Sequence, residues 1–430
     1  MKRAGIALLW LFVGCQPAAD PRPNVVLVTL DTTRADHLDV YGYPGETSPG
    51  LSAFAEEAVT FTAARSTSSW TLPAHASLFT GLLSHEHGVR YDAAGSLVLE
   101  DAIAVAGSAD DHPPYRVRGL GPGFETLAEN LRGRGYDTAG VVAGPWLMAH
   151  FGLDRGFDFY DDAEISSDVG RRAGRVTTAA LEWLAERRGD PRPFFLFLNY
   201  FDPHTPYHAP PRFRGSDRSP VAAYDEEIRF VDHQLRRLFE ALAADGLLEA
   251  TLVVVTADHG ELLGEHGRFG HGASLEEPLL RVPLLVRPPG GTAARQSGLS
   301  IQLSDVYALI LGLVDAPDAD VVATAREATA AGGGRSFAEV WPIPGAPDSV
   351  RWRTVIEEPF KLVASPEIDY AMLFDLEADP GEERNLAEQH PEVVARLRAL
   401  LAARATAPGA PALEVEGEIL EQLKSLGYGR

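Results

Sequence analysis

Three apolar runs, Val25 to Leu30, Phe194 to Leu198 and Leu252 to Val255, are continuous rather than alternating and rich in β-branched or aromatic side chains. A strand with one face in water alternates apolar and polar residues, so unbroken runs describe strands covered on both faces. Between them lie amphipathic stretches, Val176 to Arg188 and Glu226 to Ala244, the second closed by Asp245-Gly246 as a helix stop. The alternation predicts an α/β protein with a mostly parallel sheet between helical layers. The residues at the carboxyl end of each run matter as much: the first leads into Asp31, the second into Asp202 and His204, the third into Asp258 and His259. Ligands of open α/β sheets bind beyond the carboxyl ends of the strands, so acids and imidazoles gathered there predict a metal site. A single such Asp reads as the cap of the next helix. Three strands delivering acids, two of them with histidines, favour the site.

At 430 residues, with 45% hydrophobic side chains, the chain has material for a large core and exceeds a typical domain of about 150 residues. The expected division is a catalytic body over 24–330 and a smaller α+β subdomain over 350–430, with loose Gly- and Pro-rich sequence at 318–348 between them. Residues 91–120 read as a Gly/Ala/Asp-rich insertion near the rim. Acidic side chains outnumber basic ones 61 to 38, for a formal charge of −23. That balance excludes nucleic acid as an expected partner. Met1-Lys2-Arg3 followed by the apolar run Ala4 to Val13 has the form of a bacterial signal peptide, and Leu11-Phe12-Val13-Gly14-Cys15 resembles a lipobox. Cys15 is the chain's one cysteine, which leaves no internal disulfide and no cysteine metal cluster. The expectation is a signal segment over 1–15, lipid attachment at Cys15 and a tether over 16–23. The protein is then an exported lipoprotein, periplasmic or on the outer surface of a bacterium, held to the membrane by its lipid alone.

Thr71-Leu72-Pro73-Ala74-His75-Ala76-Ser77 places a hydroxyl ahead of a proline-stiffened turn, which predicts Thr71 at a helix N-terminus, a position favouring anions and developing alkoxide. Alone, Thr71 reads better as a plain N-cap. Together with Asn24 to Asp31, Asp202-Pro203-His204-Thr205-Pro206-Tyr207, Thr256-Ala257-Asp258-His259-Gly260-Glu261, Gly264-Glu265-His266-Gly267, Arg281-Val282-Pro283-Leu284 and Leu373 to Pro380, the segment resembles the sulfatase family within the alkaline phosphatase superfamily. The resemblance implies an alkaline phosphatase-like α/β/α sandwich with a small C-terminal subdomain, and a divalent metal bound by Asp31, Thr71, Asp258 and His259. Sulfatases carry Cys or Ser at the Thr71 position and convert it to formylglycine. Threonine is not a known source of that aldehyde, so no formylglycine is expected. Their motif has Arg where this chain has His75. Pro145 and Leu147 replace a lysine and a histidine, and His271 aligns with a further lysine.

The Thr-x-Pro-x-His pattern instead resembles nucleotide pyrophosphatases/phosphodiesterases, which use threonine directly. Their second zinc site corresponds here to Asp202, and their substrate-binding Asn falls on Asp92; Thr32 is a further candidate substrate contact. The resemblance implies a metal-dependent hydrolase of phosphate, phosphonate or phosphodiester groups. In it Thr71 is the nucleophile, His204 and His271 contact the ester and protonate the leaving group, and His75 assists. Two alternatives stand beside it: hydrolysis of sulfate esters by an unmodified Thr71, and a catalytically silent surface lipoprotein. Mn²⁺, Zn²⁺ and Ca²⁺ all suit the ligand set, His259 favouring the first two. The expected partner is a small-molecule, glycan-borne or lipid-borne phosphate or sulfate ester.

Overall fold

A computed structural model describes residues 22–92, 97–99, 115–165, 170–342 and 350–404. The signal segment, Cys15, most of the tether and residues 405–430 lie outside the described residues. All three apolar runs are strands of one eight-stranded sheet. Asn24–Leu30 lies at its centre, parallel to Thr251–Ala257 on one side and to Phe194–Tyr200 on the other. Asp137–Val141 and Phe159–Asp161 continue the parallel set beyond Phe194–Tyr200. On the opposite side Leu284–Arg287 runs antiparallel, followed by Val59–Phe61 and Arg295–Ser297.

Helices cover both faces, which is why these runs do not alternate. Successive side chains of a strand point to opposite faces, so Phe194 and Phe197 look in opposite directions. Trp183 of the helix Ala173–Glu186 packs on Phe194 with ring centroids 5.9 Å apart, and Phe79 of the helix Thr71–Thr80 packs on Phe197 at 4.8 Å. The two helices therefore belong to different layers. The α/β/α sandwich expected from the sequence is the fold observed. Among the described residues no helix is long and apolar enough to cross a membrane.

Local chemistry moves several boundaries. The helix expected from Glu226 begins at Pro220, because the Ser219 hydroxyl accepts from the Ala222 N–H at 3.2 Å and proline suits the first helical position. The stretch read as loose at 318–348 holds the helix Val321–Ala328, capped by Asp320 accepting from Ala323 N–H at 2.9 Å, and the strand Ser336–Val340. Gly332, Gly333 and Gly334 occupy the short link between the two. Within 91–120, the described residues form an antiparallel trio of Arg90–Tyr91, Leu97–Leu99 and Tyr115–Arg118.

Ser336–Val340, Trp352–Glu357, Phe360–Ala364 and Ala371–Asp375 form a second, antiparallel sheet. The helix Pro391–Ala403 backs it, with Leu397 and Leu401 in one cluster with Val355, Leu362 and Leu373. This sheet is locked to the large body by buried charge. Lys361 is fully buried, its Nζ 3.2 Å from Glu277 Oε1 and 2.8 Å from Glu382 Oε1, while Arg65 Nε lies 3.1 Å from Glu277 Oε2. Buried ions are tolerated only when paired, so removing one partner strands the others. Lys361→Ala is expected to lower stability by about 3–5 kcal/mol, measured by urea denaturation. An unchanged midpoint would show that the network carries no stability.

Candidate active site

Strand register builds the site. Leu30 pairs across to Ala257 on one side and Tyr200 on the other, so Asp31 and Asp258 leave adjacent strands side by side. Both are fully buried, and one ligand atom each from Asp31, Asp258 and His259 falls within 4.8 Å of the others. Neither oxygen of Asp31 has a hydrogen-bond partner, nor does Asp258 Oδ2. Burial, followed by repulsion from Asp258 and Glu261, raises the Asp31 carboxyl well above its ordinary range, and burial raises Asp258. Two desolvated carboxylates facing each other are costly unless a cation lies between them. The donor set therefore fits a divalent metal.

The remaining atoms around the carboxylates hold them in place. Asp258 Oδ1 accepts from the N–H groups of His259 at 2.8 Å and Thr32 at 3.2 Å. Thr32 adopts φ 51°, unusual for a β-branched residue, and its carbonyl accepts from Tyr224 Oη at 2.7 Å. Thr32 thus shapes the floor of the site through its backbone, and its buried hydroxyl has no hydrogen-bond partner. His259 Nδ1–H donates to the Gly260 carbonyl at 2.9 Å, which leaves the Nε2 lone pair facing inward. That nitrogen lies 3.1 Å from Thr71 Oγ1.

Thr71 is the first residue of its helix, following Trp70 in extended conformation. One turn later His75 accounts for both its ring nitrogens: Nδ1–H donates to the Thr71 carbonyl at 2.9 Å, and Nε2 accepts from Thr29 Oγ1 at 2.9 Å. Burial lowers its pKa, consistent with this neutral form. His75 lies behind Thr71, fully buried, and positions it rather than reaching an ester. Sequence reasoning missed Asn199, whose Nδ2 donates to Thr29 Oγ1 at 3.3 Å and whose Oδ1 accepts from Ala143 and Gly144 N–H at 3.2 and 2.9 Å. A Cβ on Gly144 would stand 3.3 Å from Asp31 Oδ2, so this loop passes close over the carboxylate.

His204 and His271 meet at the rim with ring centroids 5.0 Å apart, and His271 lies 4.5 Å from His259. His271 Nδ1–H donates to Glu261 Oε1 at 2.9 Å. Burial works against a charged His271, but Glu261, through charge and hydrogen bond, raises its pKa above the usual value. His204 goes the other way, pushed down to about 3 by burial and by His271. One ring of the pair is disposed to carry a proton and the other is neutral. Glu261 received no role from the sequence, although it stands within the Asp258-His259-Gly260-Glu261 segment.

Two sequence candidates lie elsewhere. Asp202 turns from the metal ligands toward the start of the helix Ala173–Glu186, where Oδ2 accepts from Ala173 N–H at 2.8 Å and Arg172 Nη1 lies 2.9 Å from Oδ1. Among the described residues, Asp31, Asp258 and His259 form the one cluster suited to a metal, so Asp202 and His204 do not assemble a second centre. Asp92 pairs with Arg90 at 3.3 Å and with Arg118. Its charge is thereby satisfied by protein rather than held against an ester.

A family model for sulfatases matches residues 23–316. The ulvan-active sulfatase of Formosa agariphila is 24% identical, aligned over 85% of this chain and 77% of its own. The arylsulfatase of Clostridium perfringens is 25% identical over 88% and 94%. The phosphonate monoester hydrolase of Agrobacterium radiobacter shares the fold with a TM-score of 0.68, at 20% identity over 90% and 96% of the two chains.

The ligand set and the buried acids beside it each lead to a measurable outcome. Mn²⁺, Zn²⁺ or Ca²⁺ at about a hundredfold over its Kd is expected to stabilise the protein by about 2.7 kcal/mol, read as a rise in thermal midpoint that Asp31→Asn abolishes; equal rises in both proteins would contradict the ligand set. Burial and the neighbouring Asp202 push Glu227 up to about 8. The folded state then keeps a proton that the unfolded chain has released near 4.5, so stability is full below that value and falls as pH rises toward about 8. Glu227→Gln is expected to flatten this fall in denaturation curves recorded across the interval. A parallel pH profile would refute it.

Proposed function

Since this chain belongs to the sulfatase family of ester hydrolases, we propose that it cleaves phosphate, phosphonate or phosphodiester groups through covalent attack by an unmodified Thr71. The observation that carries the reading is Thr71 Oγ1 at a helix N-terminus, 3.1 Å from His259 Nε2 and beside two buried carboxylates with unpaired oxygens. Asp31, Asp258 and His259, with Thr71, would hold the divalent cation. When bound, such a cation lowers the pKa of an adjacent hydroxyl and offsets the negative charge of the ester.

The chain's own groups account for the remaining chemistry. Thr71 Oγ1 is held by its helix and by the His75 contact to its carbonyl, and the helix N-terminus favours loss of its proton to solvent. Attack forms the Oγ1–P bond and breaks the bond from phosphorus to the leaving oxygen. His271, whose proton affinity Glu261 raises, donates to that oxygen. His204, neutral, orients the ester. Water then attacks the phosphothreonine, giving one proton to the now neutral His271; the Oγ1–P bond breaks, phosphate leaves, and Thr71 Oγ1 takes back a proton from solvent.

Sulfate ester hydrolysis by the same threonine is the second reading, favoured by relatives named as sulfatases. The substrate is proposed to be a small, glycan-borne or lipid-borne ester. The body over 24–330 is proposed as the catalytic unit, exported and anchored through a lipid on Cys15. Assays of aryl phosphate, phosphonate, phosphodiester and sulfate hydrolysis with each metal test the claim. Metal-dependent phospho-ester turnover is expected, reduced at least about a thousandfold in Thr71→Ala. Preferential sulfate turnover would overturn the substrate class, and full activity of Thr71→Ala would overturn the nucleophile.

A further inference from the structure

Among the described residues outside the metal ligands, four guanidiniums gather on two carboxylates near the nucleophile's helix, one of which also accepts from His85. Asp92 serves Arg90 and Arg118, and Glu339 serves Arg351 and Arg353. This excess of cations stands out in a chain of charge −23. Trp341 lies between two of them, with Arg90 Cζ 4.4 Å from the ring centroid and Arg351 Cζ 3.8 Å on the same ring. Burial, with repulsion from Arg118, lowers the proton affinity of Arg90 despite the pull of Asp92, and Arg351 adds to the repulsion.

Two donors in this group are buried and unpartnered, Arg351 Nε and Trp341 Nε1. Guanidinium and indole N–H groups donate only, so what they lack is an acceptor. The strand that carries Arg90 also packs against the residue that precedes the nucleophile. Tyr91 stacks on Trp70, the residue before Thr71, with ring centroids 3.8 Å apart and planes within 9°. Arg90 and Arg118 are register partners on the opposite face of that short strand pair. From the second sheet, Glu339 N–H donates to the Thr67 carbonyl at 3.0 Å, which seats the end of its strand against the segment leading to Thr71.

We propose that Arg90, Arg118, Arg351 and Trp341 form a subsite for a second oxyanion on the substrate, a sulfate, phosphate or carboxylate carried several bonds from the ester that Thr71 attacks. The inference rests on the Thr71 reading for what is cleaved and extends it to a polyanionic substrate, such as a glycan bearing more than one charged substituent. Charge-assisted hydrogen bonds from guanidinium forks, near an unpartnered indole N–H, supply affinity and register without touching the reacting atoms.

The test is calorimetric binding of two probes, a heparin-derived sulfated tetrasaccharide and inorganic phosphate, to the metal-loaded protein. The tetrasaccharide is expected to bind at least about tenfold tighter than phosphate, and Arg351→Gln or Arg118→Gln to weaken it by about tenfold or more. Arg188→Gln, at an exposed pair with Asp245, is the charge-matched control and is expected to bind as the wild type does. Two variants from different sheets keep the test open if one fails to fold. Equal affinities for the two probes, or equal tetrasaccharide affinities in variants and wild type, overturn the subsite. Binding is read without turnover, so an absence of ester hydrolysis would sink the Thr71 reading alone, whereas arginine-independent binding by an active enzyme would sink only the subsite.

Discussion

Two buried carboxylates with unpartnered oxygens facing each other, Asp31 and Asp258, set the terms for the rest of the molecule. They are abreast because Leu30 and Ala257 are in register on adjacent parallel strands, and desolvated because helices cover both faces of that sheet. Leaving such charges unpaired is among the largest penalties a fold can carry. Nearby features make sense as support for it: the positive φ of Thr32, which turns its N–H toward Asp258, and the close pass of Gly144 over Asp31. The scaffold accepts local strain of about 1–3 kcal/mol to hold an arrangement that a cation between the two carboxylates would stabilise.

Around that centre the side chains divide into those that face an incoming ester and those that hold them. In the proposed mechanism Thr71, His204 and His271 form the first group. His75, Asn199, Thr29 and Glu261 form the second, each fully buried and each joined to the first group or to its neighbours by hydrogen bonds. The contrast between His204 and His271 arises from a single carboxylate: Glu261 contacts His271 and raises its pKa, while His204 has only its own following carbonyl at Nδ1. A pair of like residues with opposite proton affinities is what an acid and a neutral hydrogen-bond donor require.

The three buried strands are legible in the sequence because a covered parallel strand must be continuously apolar, and their ends are legible because topology sends ligands there. Thr71 at a helix start is evident from its proline and small-residue neighbours. Asp202 misleads because sequence shows that an acid comes after a strand, not which way it turns; Arg172 and the Ala173 N–H draw it aside. His75 reads as a chemical participant because spacing cannot tell a side chain in front of a threonine from one behind it. Asn199 and Glu261 are invisible for a related reason, since their importance lies in contacts with residues 170 and 10 positions away. The 318–348 stretch hides a helix and a strand because its run of three glycines, Gly332 to Gly334, marks only the link between them.

The most direct test of a covalent Thr71 mechanism is mass spectrometry of the metal-loaded protein quenched during turnover of a slow aryl phosphate ester, with proteolysis to isolate the peptide containing Thr71. The mechanism predicts an intact threonine in the resting enzyme and a phosphoryl group on that residue in the quenched one. An altered residue at position 71 before substrate is added, or steady turnover with phosphate never appearing on Thr71, would contradict it.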